Sequence, residues 1–517
     1  MTRVEPRPAG AHPDSLASAL AVPAAVAAGL ALAQLATIAN YGVFRDEFYY
    51  LACGRRLAWG YVDHPPLVAL LARAGTGLLG DSLLGIRWIA VLCGMLTILA
   101  TGLMVRRLGG GRFAQLVAAL SVALAPHYLF TFRILSMNGP EILLWTLGGL
   151  AVLVAVQDDS PPAWVIFGVV CGLGLLNKHS MLIFGLGITV GLLATPARRH
   201  FRTPGPWLAA GIAALMFAPH VWWQVQHGWP TLEFIRNAQA EKIAAIGPPA
   251  FLVEQVKMMN PGTLPVWLAG LVDCLLARRR PERRILGIAF LVVLGVFLLQ
   301  KAKPYYLTPV YPLLFAPGAV AIEQWGARRR WARWATPAAI VTVGALIAPL
   351  AWPVLPVGRF VAYSRALGIA PQPQERHEMG ALPQHYADMF GWDDLARTVS
   401  RVYTSLPPEE RQTARVFATN YGQAGALEYY AARYPLPRVV SPHNSYWLWG
   451  PGPDDGGTII IIGGRREDHL HALERVEEVA RTACGLCMPY ENNRPVYVGR
   501  GWKVSLNGVW PREKRFI

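Results

Sequence analysis

A chain of 517 residues that is 53% hydrophobic and only 15% charged is too long and too apolar for one soluble domain, and its apolar residues come in blocks. That composition excludes an ordinary globular protein and places the chain among multi-pass membrane proteins. The net charge of +16 is unevenly spread: residues 1–355 hold 29 Lys and Arg against 15 Asp and Glu, residues 356–517 hold 19 against 17, so the excess reflects membrane topology and no nucleic-acid partner is expected.

After the tail MTRVEPRPAGAHPDS, an uncharged apolar run covers 16–39. It exceeds the roughly 7 to 15 apolar residues of a secretory leader's core, so a retained first helix is expected. Ten further runs follow near 83–105, 113–130, 141–156, 162–176, 181–196, 206–225, 261–277, 285–300, 305–323 and 333–355, which predicts about eleven transmembrane helices. Asn177-Lys178-His179-Ser180 splits the 162–196 region into two runs barely long enough to cross, a pattern that a bent pair or a re-entrant element also fits.

Short cytoplasmic loops carry an excess of Lys and Arg. With the N-terminus inside, the inner loops collect Arg106, Arg107 and Arg112; Arg198, Arg199 and Arg202; Arg278 to Arg280, Arg283 and Arg284; and Arg328 to Arg330 with Arg333. The loops at 41–82, 131–140, 226–260 and 300–304, and everything after about 356, then face outward.

From about Pro356 short β-rich runs (Val416 to Ala418, Arg438 to Val440, Thr458 to Ile462, Val496 to Val498) alternate with expected helices at Gly425 to Arg433 and Glu467 to Thr482, which predicts an extracytoplasmic α/β domain over 356–517 beside a membrane module over 1–355. Cys53, Cys93, Cys171 and Cys274 read as apolar fillers. Cys484 and Cys487 are spaced for a local disulfide or a pair of free thiols.

The loop YGVFRDEFYYLACGRRLAWGYVDHPPL, 41–67, carries the chemistry. Asp46 and Glu47 lie at the outer membrane boundary, where a carboxylate is partly desolvated yet reachable from water and suited to act as a base. The plainer reading is that adjacent acids mark a helix N-terminus. Tyr49, Tyr50, Arg55, Arg56, Trp59, Tyr61, Asp63 and His64 follow as an amphipathic patch suited to lying along the interface. Arg133, Lys178, His179, Lys301 and Lys303 fall at outer ends of spans, where each alone can be a snorkelling anchor but together they suit a lipid phosphate. Trp222, Trp223, Trp229, Tyr305, Tyr306 and Tyr311 fit either an interfacial belt or donor contact. Asn420, Tyr421, Gln423, His443, Asn444, Tyr446 and Trp449 fit either acceptor contact or core hydrogen bonding.

The blocks DEFYYLACGRRLAWGYVDHPPL, FRILSMNGPEILLW, LLNKHSMLIF, APHVWWQVQHGWPTLEF, NPGTLPVWLAGL, QKAKPYYLTPVYPLL and NYGQAGALEYY with SPHNSYWLWGP resemble, in order and spacing, bacterial multi-pass glycosyltransferases of the protein-mannosyltransferase and aminoarabinose-transferase type. That resemblance implies the GT-C fold. It also implies sugar transfer from a polyprenyl-phosphate donor to an acceptor glycan, lipid or protein at the outer face of the cell membrane. It makes Asp46 the catalytic base with Glu47 its neighbour. Around them Tyr49, Tyr50, Tyr61, His64, Asn138, Glu141, Tyr305 and Tyr306 are the expected substrate contacts. In the aminoarabinose-transferase branch a Tyr-x-acid-basic-Pro turn supplies a metal carboxylate; here it reads Tyr61-Val62-Asp63-His64-Pro65, making Asp63 the candidate ligand for a divalent metal ion. Two departures stand out: Asn138 in SMNGPE occupies the place of an aspartate, and His227 lacks the surroundings of that branch's metal histidine. The competing classes are a lipid-sugar flippase, whose site belongs near the midplane, and a non-catalytic assembly subunit.

Overall fold

The structure is a computed structural model that describes residues 16–242, 246–327, 330–372, 378–453 and 456–517. The N-terminal tail and two of the expected inner-loop arginines, Arg328 and Arg329, lie outside the described residues.

Every expected apolar run forms a helix or a broken helix. In chain order these are α1 Leu16–Ala36, α2 Arg45–Arg55, α3 Leu67–Leu79, α4 Leu83–Arg107, α5 Arg112–Ala123, α6 Pro126–Thr131, α7 Asn138–Gln157, α8 Pro161–Asn177, α9 Met181–Leu193, α10 Gly205–Gln226, α11 Pro230–Asn237, α12 Pro248–Met258, α13 Leu264–Leu276, α14 Pro281–Leu299, α15 Pro312–Gly326 and α16 Arg330–Ala351. Local chemistry sets several starts. Proline, whose missing N–H costs nothing in a first turn, opens α6, α8, α12 and α14, and the Ser82 hydroxyl accepts from Gly85 N at 3.1 Å to cap α4.

By length and composition, α4, α7, α10 and the Arg333–Ala351 stretch of α16 are long and apolar enough to cross a membrane. Two bent pairs also qualify: α9 with the 3-10 turn Pro196–Arg202, and the turn Pro304–Val310 with α15. The remaining apolar helices are shorter. Leucines such as Leu215 (76% exposed), Leu276 (73%) and Leu299 (86%) stand on the outside of this bundle, a surface that only hydrocarbon covers without cost. Helices approach closely where side chains vanish: Gly270 of α13 meets the backbone of Leu314 and Gly318 in α15, and Gly318 meets Val266 and Gly270 in return.

The charges segregate to the two ends of the bundle. At one end Arg107 pairs with Asp158, Arg199 with Asp159, and Arg283 with both Asp273 and the carbonyl of Leu108, while Glu323 accepts from Gly111 N. At the other end lie α2, the start of α7, the α8–α9 break and the 300–310 link.

The C-terminal region holds α17 Val357–Ala366, α18 Gln384–Ala387, α19 Trp392–Ser405, α20 Pro408–Thr413, α21 Tyr421–Tyr430, α22 Ser445–Trp449 and α23 Arg466–His469 around a five-stranded sheet. The strands are β1 Arg415–Phe417, β2 Arg438–Val440, β3 Ile459–Ile462, β4 Leu473–Arg481 and β5 Pro495–Trp502, in the order β2-β1-β3-β5-β4. β1 runs parallel to β2 and β3, pairing Val416 with Val439 and Ile460, whereas β5 is antiparallel to β3 and β4. The expected helix over 467–482 is corrected: after the short α23 the chain becomes strand β4. Glu- and Arg-rich residues favour a helix locally, but Leu473 and Val476 are buried against the sheet and β5 gains a partner, so tertiary pairing overrides propensity. Cys484 and Cys487 are thiols, the first accepting from Cys487 N at 3.1 Å.

A second correction concerns the 41–67 segment, which does not lie flat along an interface. Helix α2 is buried between α3 and α21, and Phe48, Tyr49 and Tyr50 share one core with Leu395, Leu427, Ile460 and Val498. Gly425 of α21 rests on the backbone of Phe48, 2.8 Å from where a Cβ would sit.

The anchor of α2 is an ion pair with no exposure on either side. Glu47 Oε1 and Oε2 accept from Arg87 Nε (2.9 Å) and Nη2 (2.7 Å), and also from Leu135 N (2.9 Å) and Phe44 N (2.8 Å). Removing one partner strands a buried charge, which typically costs about 3–5 kcal/mol. Arg87→Met is therefore expected to lower the melting temperature of the detergent-purified protein sharply. Glu47→Gln combined with Arg87→Met should be less damaging than the single Arg87 change, as a double-mutant melting series will read.

Candidate functional site

Asp46 and Glu47 are neighbours about 100° apart around α2, and they part ways. Glu47 turns into the core and caps its own helix, so the plain reading of an acid at a helix start holds for it. It has no exposure and no spare oxygen, which corrects its expected place in the catalytic pair. Asp46 turns outward and is half-buried. The Tyr421 hydroxyl of α21 donates to its Oδ1 at 2.8 Å, and among the described residues its Oδ2 takes no hydrogen bond.

Asp63 sits beside the same helix. The Tyr49 hydroxyl donates to Asp63 Oδ1 at 2.8 Å and lies 2.7 Å from Ser445 Oγ, which in turn accepts from Val62 N. Burial raises the Asp63 carboxyl above its ordinary 3.8, while His64 and the Tyr49 hydrogen bond pull it back. Tyr50 stands within the fields of Asp46, Asp63 and Tyr306; burial first, then these carboxylates, keeps its phenol protonated well above the usual range.

Across from α2 stands the α8–α9 break. Lys178 Nζ donates to Glu141 Oε2 at 2.7 Å and to Asn138 Oδ1 at 3.0 Å, and lies 4.7 Å from the Tyr306 ring centre and 5.4 Å from that of Tyr305. Ser180 Oγ donates to the other Glu141 oxygen. Five expected residues, Asn138, Glu141, Lys178, Tyr305 and Tyr306, thus form one cluster. Lys301 is exposed on the adjoining link with φ +49°, and Lys303 is half-buried beside it.

Other expectations need correction. Arg133 has no exposure and spends its guanidinium on Thr37 Oγ1 and the carbonyls of Thr37, Ile38 and Asn40, so it ties the end of α1 and does not reach a phosphate. His179 Nε2 lies 3.1 Å from His220 Nε2; His220 Nδ1 donates to the Trp59 carbonyl, so His179 is the donor of the pair and is engaged with a neighbouring helix. His64 and Tyr61 are wholly buried and stacked on each other at 4.7 Å, with His64 Nδ1 donating to the Pro65 carbonyl; they shape the loop and offer no surface to a substrate. Tyr49 likewise acts through Asp63. His227 stacks on Trp223 at 4.1 Å, with Nδ1 donating to the Trp223 carbonyl, on the exposed end of α10.

No three His, Cys, Asp or Glu side chains gather as metal ligands among the described residues. Ser180 and Ser445 join the site without being singled out in the sequence.

The helical bundle bearing an acidic helix against a polar break defines a membrane protein of the GT-C fold. The structure matches ArnT from Cupriavidus metallidurans, solved bound to undecaprenyl phosphate, with a TM-score of 0.60 at 17% identity over 94% of this chain and 98% of that one. Residues 63–223 match the family described as dolichyl-phosphate-mannose-protein mannosyltransferase. The chain is 28% identical over 203 residues to lipid A galacturonosyltransferase RgtD of Rhizobium johnstonii, 38% of this chain and 41% of that protein. It is 26% identical over 290 residues to undecaprenyl phosphate-alpha-4-amino-4-deoxy-L-arabinose arabinosyl transferase 1 of Pseudomonas fluorescens, 51% of this chain and 49% of that protein. The chain thus spans less than half the length of these curated relatives. Its fold is that of ArnT, and part of its sequence is similar to the protein-mannosyltransferase family and to these two glycosyltransferases.

The raised Asp63 carboxyl gives a pH signature. A folded state that holds this proton more tightly than the unfolded chain gains most below about pH 3.8, and loses that gain as pH rises through the elevated folded value. Melting temperature measured against pH should fall more steeply over that window in the wild type than in Asp63→Asn; parallel curves would contradict the assignment.

Proposed function

We propose that this protein transfers a sugar from a polyprenyl-phosphate-linked donor to an acceptor at the outer face of the cell membrane, with Asp46 as base. The observation that carries the reading is the Asp46 carboxylate: half-buried, oriented by Tyr421 through one oxygen, with the other oxygen open. The relatives named above, which act on lipid A or use undecaprenyl-phosphate-linked aminoarabinose, support the reaction class.

In the step proposed, Asp46 Oδ2 takes the proton of an acceptor hydroxyl as that oxygen attacks the anomeric carbon. The bond from this carbon to the phosphate oxygen breaks, and the polyprenyl phosphate leaves with the electron pair. One displacement inverts the configuration. Such a donor already carries a good leaving group, so the protein's work is alignment, proton removal and stabilisation of charge on the departing phosphate. Lys178 is the cation nearest this task, held between Glu141, Asn138 and the faces of Tyr305 and Tyr306. Lys301 and Lys303 approach from the adjoining link. Arg133 and His179 have no part in it. On this reading the C-terminal α/β domain is extracytoplasmic and closes the acceptor side of Asp46 through Tyr421, while the arginine-bearing end of the bundle faces the cytoplasm.

Loss of a positioned base typically costs about 10²–10⁴-fold in rate. Asp46→Asn is expected to lose transfer by that order while keeping the wild-type melting temperature, measured with radiolabelled polyprenyl-phosphate sugars and candidate acceptors in detergent. Cys487→Ser should turn over normally. Detergent has no two sides, so a flippase would give no product, and wild-type transfer by Asp46→Asn would remove the base.

A further inference from the structure

The segment between β4 and β5 carries two thiols that the Asp46 and Lys178 groups do not use. Cys484 and Cys487 sit on a turn whose neighbouring residues Ala483, Gly485 and Leu486 are exposed; Cys484 is half-buried and Cys487 is buried. Both pack into the notch left by Gly391, the residue before α19, where a Cβ would stand 2.9 Å from the Cys484 sulfur and 3.3 Å from Cys487 Cβ. Cys487 N donates to the Cys484 sulfur at 3.1 Å, and the Cys487 thiol is within reach of both the Cys484 carbonyl, at 3.2 Å, and the Cys484 sulfur. The hydrogen bond from Cys487 pulls the Cys484 thiol down to about 7, against burial and the Asp394 carboxylate, while the same contact and burial push Cys487 up. The other four cysteines, Cys53, Cys93, Cys171 and Cys274, are buried singly in the apolar cores.

The turn leads directly into contacts around Asp46. Past the buried Met488, the Tyr490 hydroxyl accepts from Arg45 Nη1 at 3.0 Å, and Arg45 precedes Asp46 and lies 4.7 Å over the Tyr421 ring. Glu491 accepts from Asn420 Nδ2 at 2.8 Å and from Gln423 Nε2 at 2.7 Å, and Asn420 caps α21 by accepting from Gln423 N at 3.0 Å. Residues 488–491 therefore grip both the residue before Asp46 and the start of the helix that carries Tyr421. Closing a disulfide takes the thiol hydrogen away from the Cys484 carbonyl and makes the Cys484 sulfur a poor acceptor for Cys487 N, so the backbone entering that grip has to move.

We infer that Cys484 and Cys487 form a redox site that exchanges with a disulfide-bearing partner and, once oxidised, loosens the hold of residues 488–491 on α21. The Cys484 thiolate attacks one sulfur of the partner disulfide, forming a mixed disulfide and expelling one partner thiolate, which takes a proton. Cys487 gives its proton to water and attacks the Cys484 sulfur, closing the Cys484–Cys487 bond and releasing the second partner thiolate, which is protonated in turn. Two protein thiols are oxidised and one disulfide is reduced to two thiols. A reachable attacking thiol beside a buried resolving one is the arrangement this exchange needs. The exchange itself goes beyond the transferase reading; only its consequence for Asp46 rests on that reading.

The test equilibrates the full chain in detergent with reduced and oxidised glutathione and measures the mass of the peptide carrying both cysteines. Loss of two hydrogens, reversed by dithiothreitol, is expected in the wild type. Cys487→Ser should trap a mixed disulfide with glutathione on Cys484, and Cys484→Ser should form neither species. Iodoacetamide at neutral pH should modify Cys484 about 10-fold faster than Cys487. Oxidation should speed hydrogen exchange at the Gln423 and Ala424 amides, which bond to Asn420, by about threefold or more relative to β3, and leave Cys484→Ser unchanged. A pair that stays reduced in oxidised glutathione, or a disulfide that leaves those amides exchanging as before, overturns the inference. Asp46→Asn should cycle between the two redox states normally, so failure of transfer and failure of this site are read separately.

Discussion

The polar end of this protein depends on one buried ion pair. Glu47 and Arg87 have no exposed side-chain surface, and between them they bind the end of α1 (the carbonyls of Ile38 and Gly42), the start of α2 (Phe44 N) and the turn before α7 (Leu135 N). Two charges withdrawn from water are tolerable only when their hydrogen-bonding groups are used, and here Glu47 accepts four bonds and Arg87 donates four. Arg133 repeats the device a turn away, with four bonds to the chain that leaves α1. Both arginines fix where a polar helix enters an apolar bundle. With Glu47 pointing into the core, Asp46 has to face the α/β domain.

That constraint explains why the α/β domain and the bundle share a core. The inner face of α2 is apolar and aromatic, and Gly425 lets α21 settle on it closely enough for Tyr421 to reach Asp46. The opposite wall, the α8–α9 break, is polar because a helix interruption exposes backbone groups that a membrane interior will not satisfy. Placing Lys178 there, paired with Glu141 and flanked by two tyrosines, gives a cation that is desolvated but compensated. The bundle's other end gathers surface ion pairs among short loops, a division of labour that follows from where arginine is cheap to place.

Much of this was legible in the sequence, and the failures have physical causes. Apolar runs mark helices because period and length are local properties, so all the expected runs appear. The cluster of Asn138, Glu141, Lys178, Tyr305 and Tyr306 was legible because each sits at the end of a run, and runs that share an end meet there. What the sequence hid was direction. Asp46 and Glu47 look alike on paper, but a 100° rotation sends one to the core and the other to the site. Arg133 and His64 read as ligands because polar residues near a membrane boundary suit that role, and only tertiary contacts reveal that backbone carbonyls have claimed them. The 467–482 segment misread for the same reason: its residues favour a helix, but β5, paired on one side with β3, has a second edge that this segment covers as a strand.

On the proposed function, Asp46 and the Lys178 cluster open on the same outer rim of the membrane. Labelling single cysteines with a membrane-impermeant maleimide in intact cells tests this most directly, using Asp46→Cys and Asn138→Cys, since Asn138 touches Lys178. Both positions should react from outside, and added polyprenyl phosphate should protect both. Reaction of either one only after the cytoplasmic side is opened would contradict it.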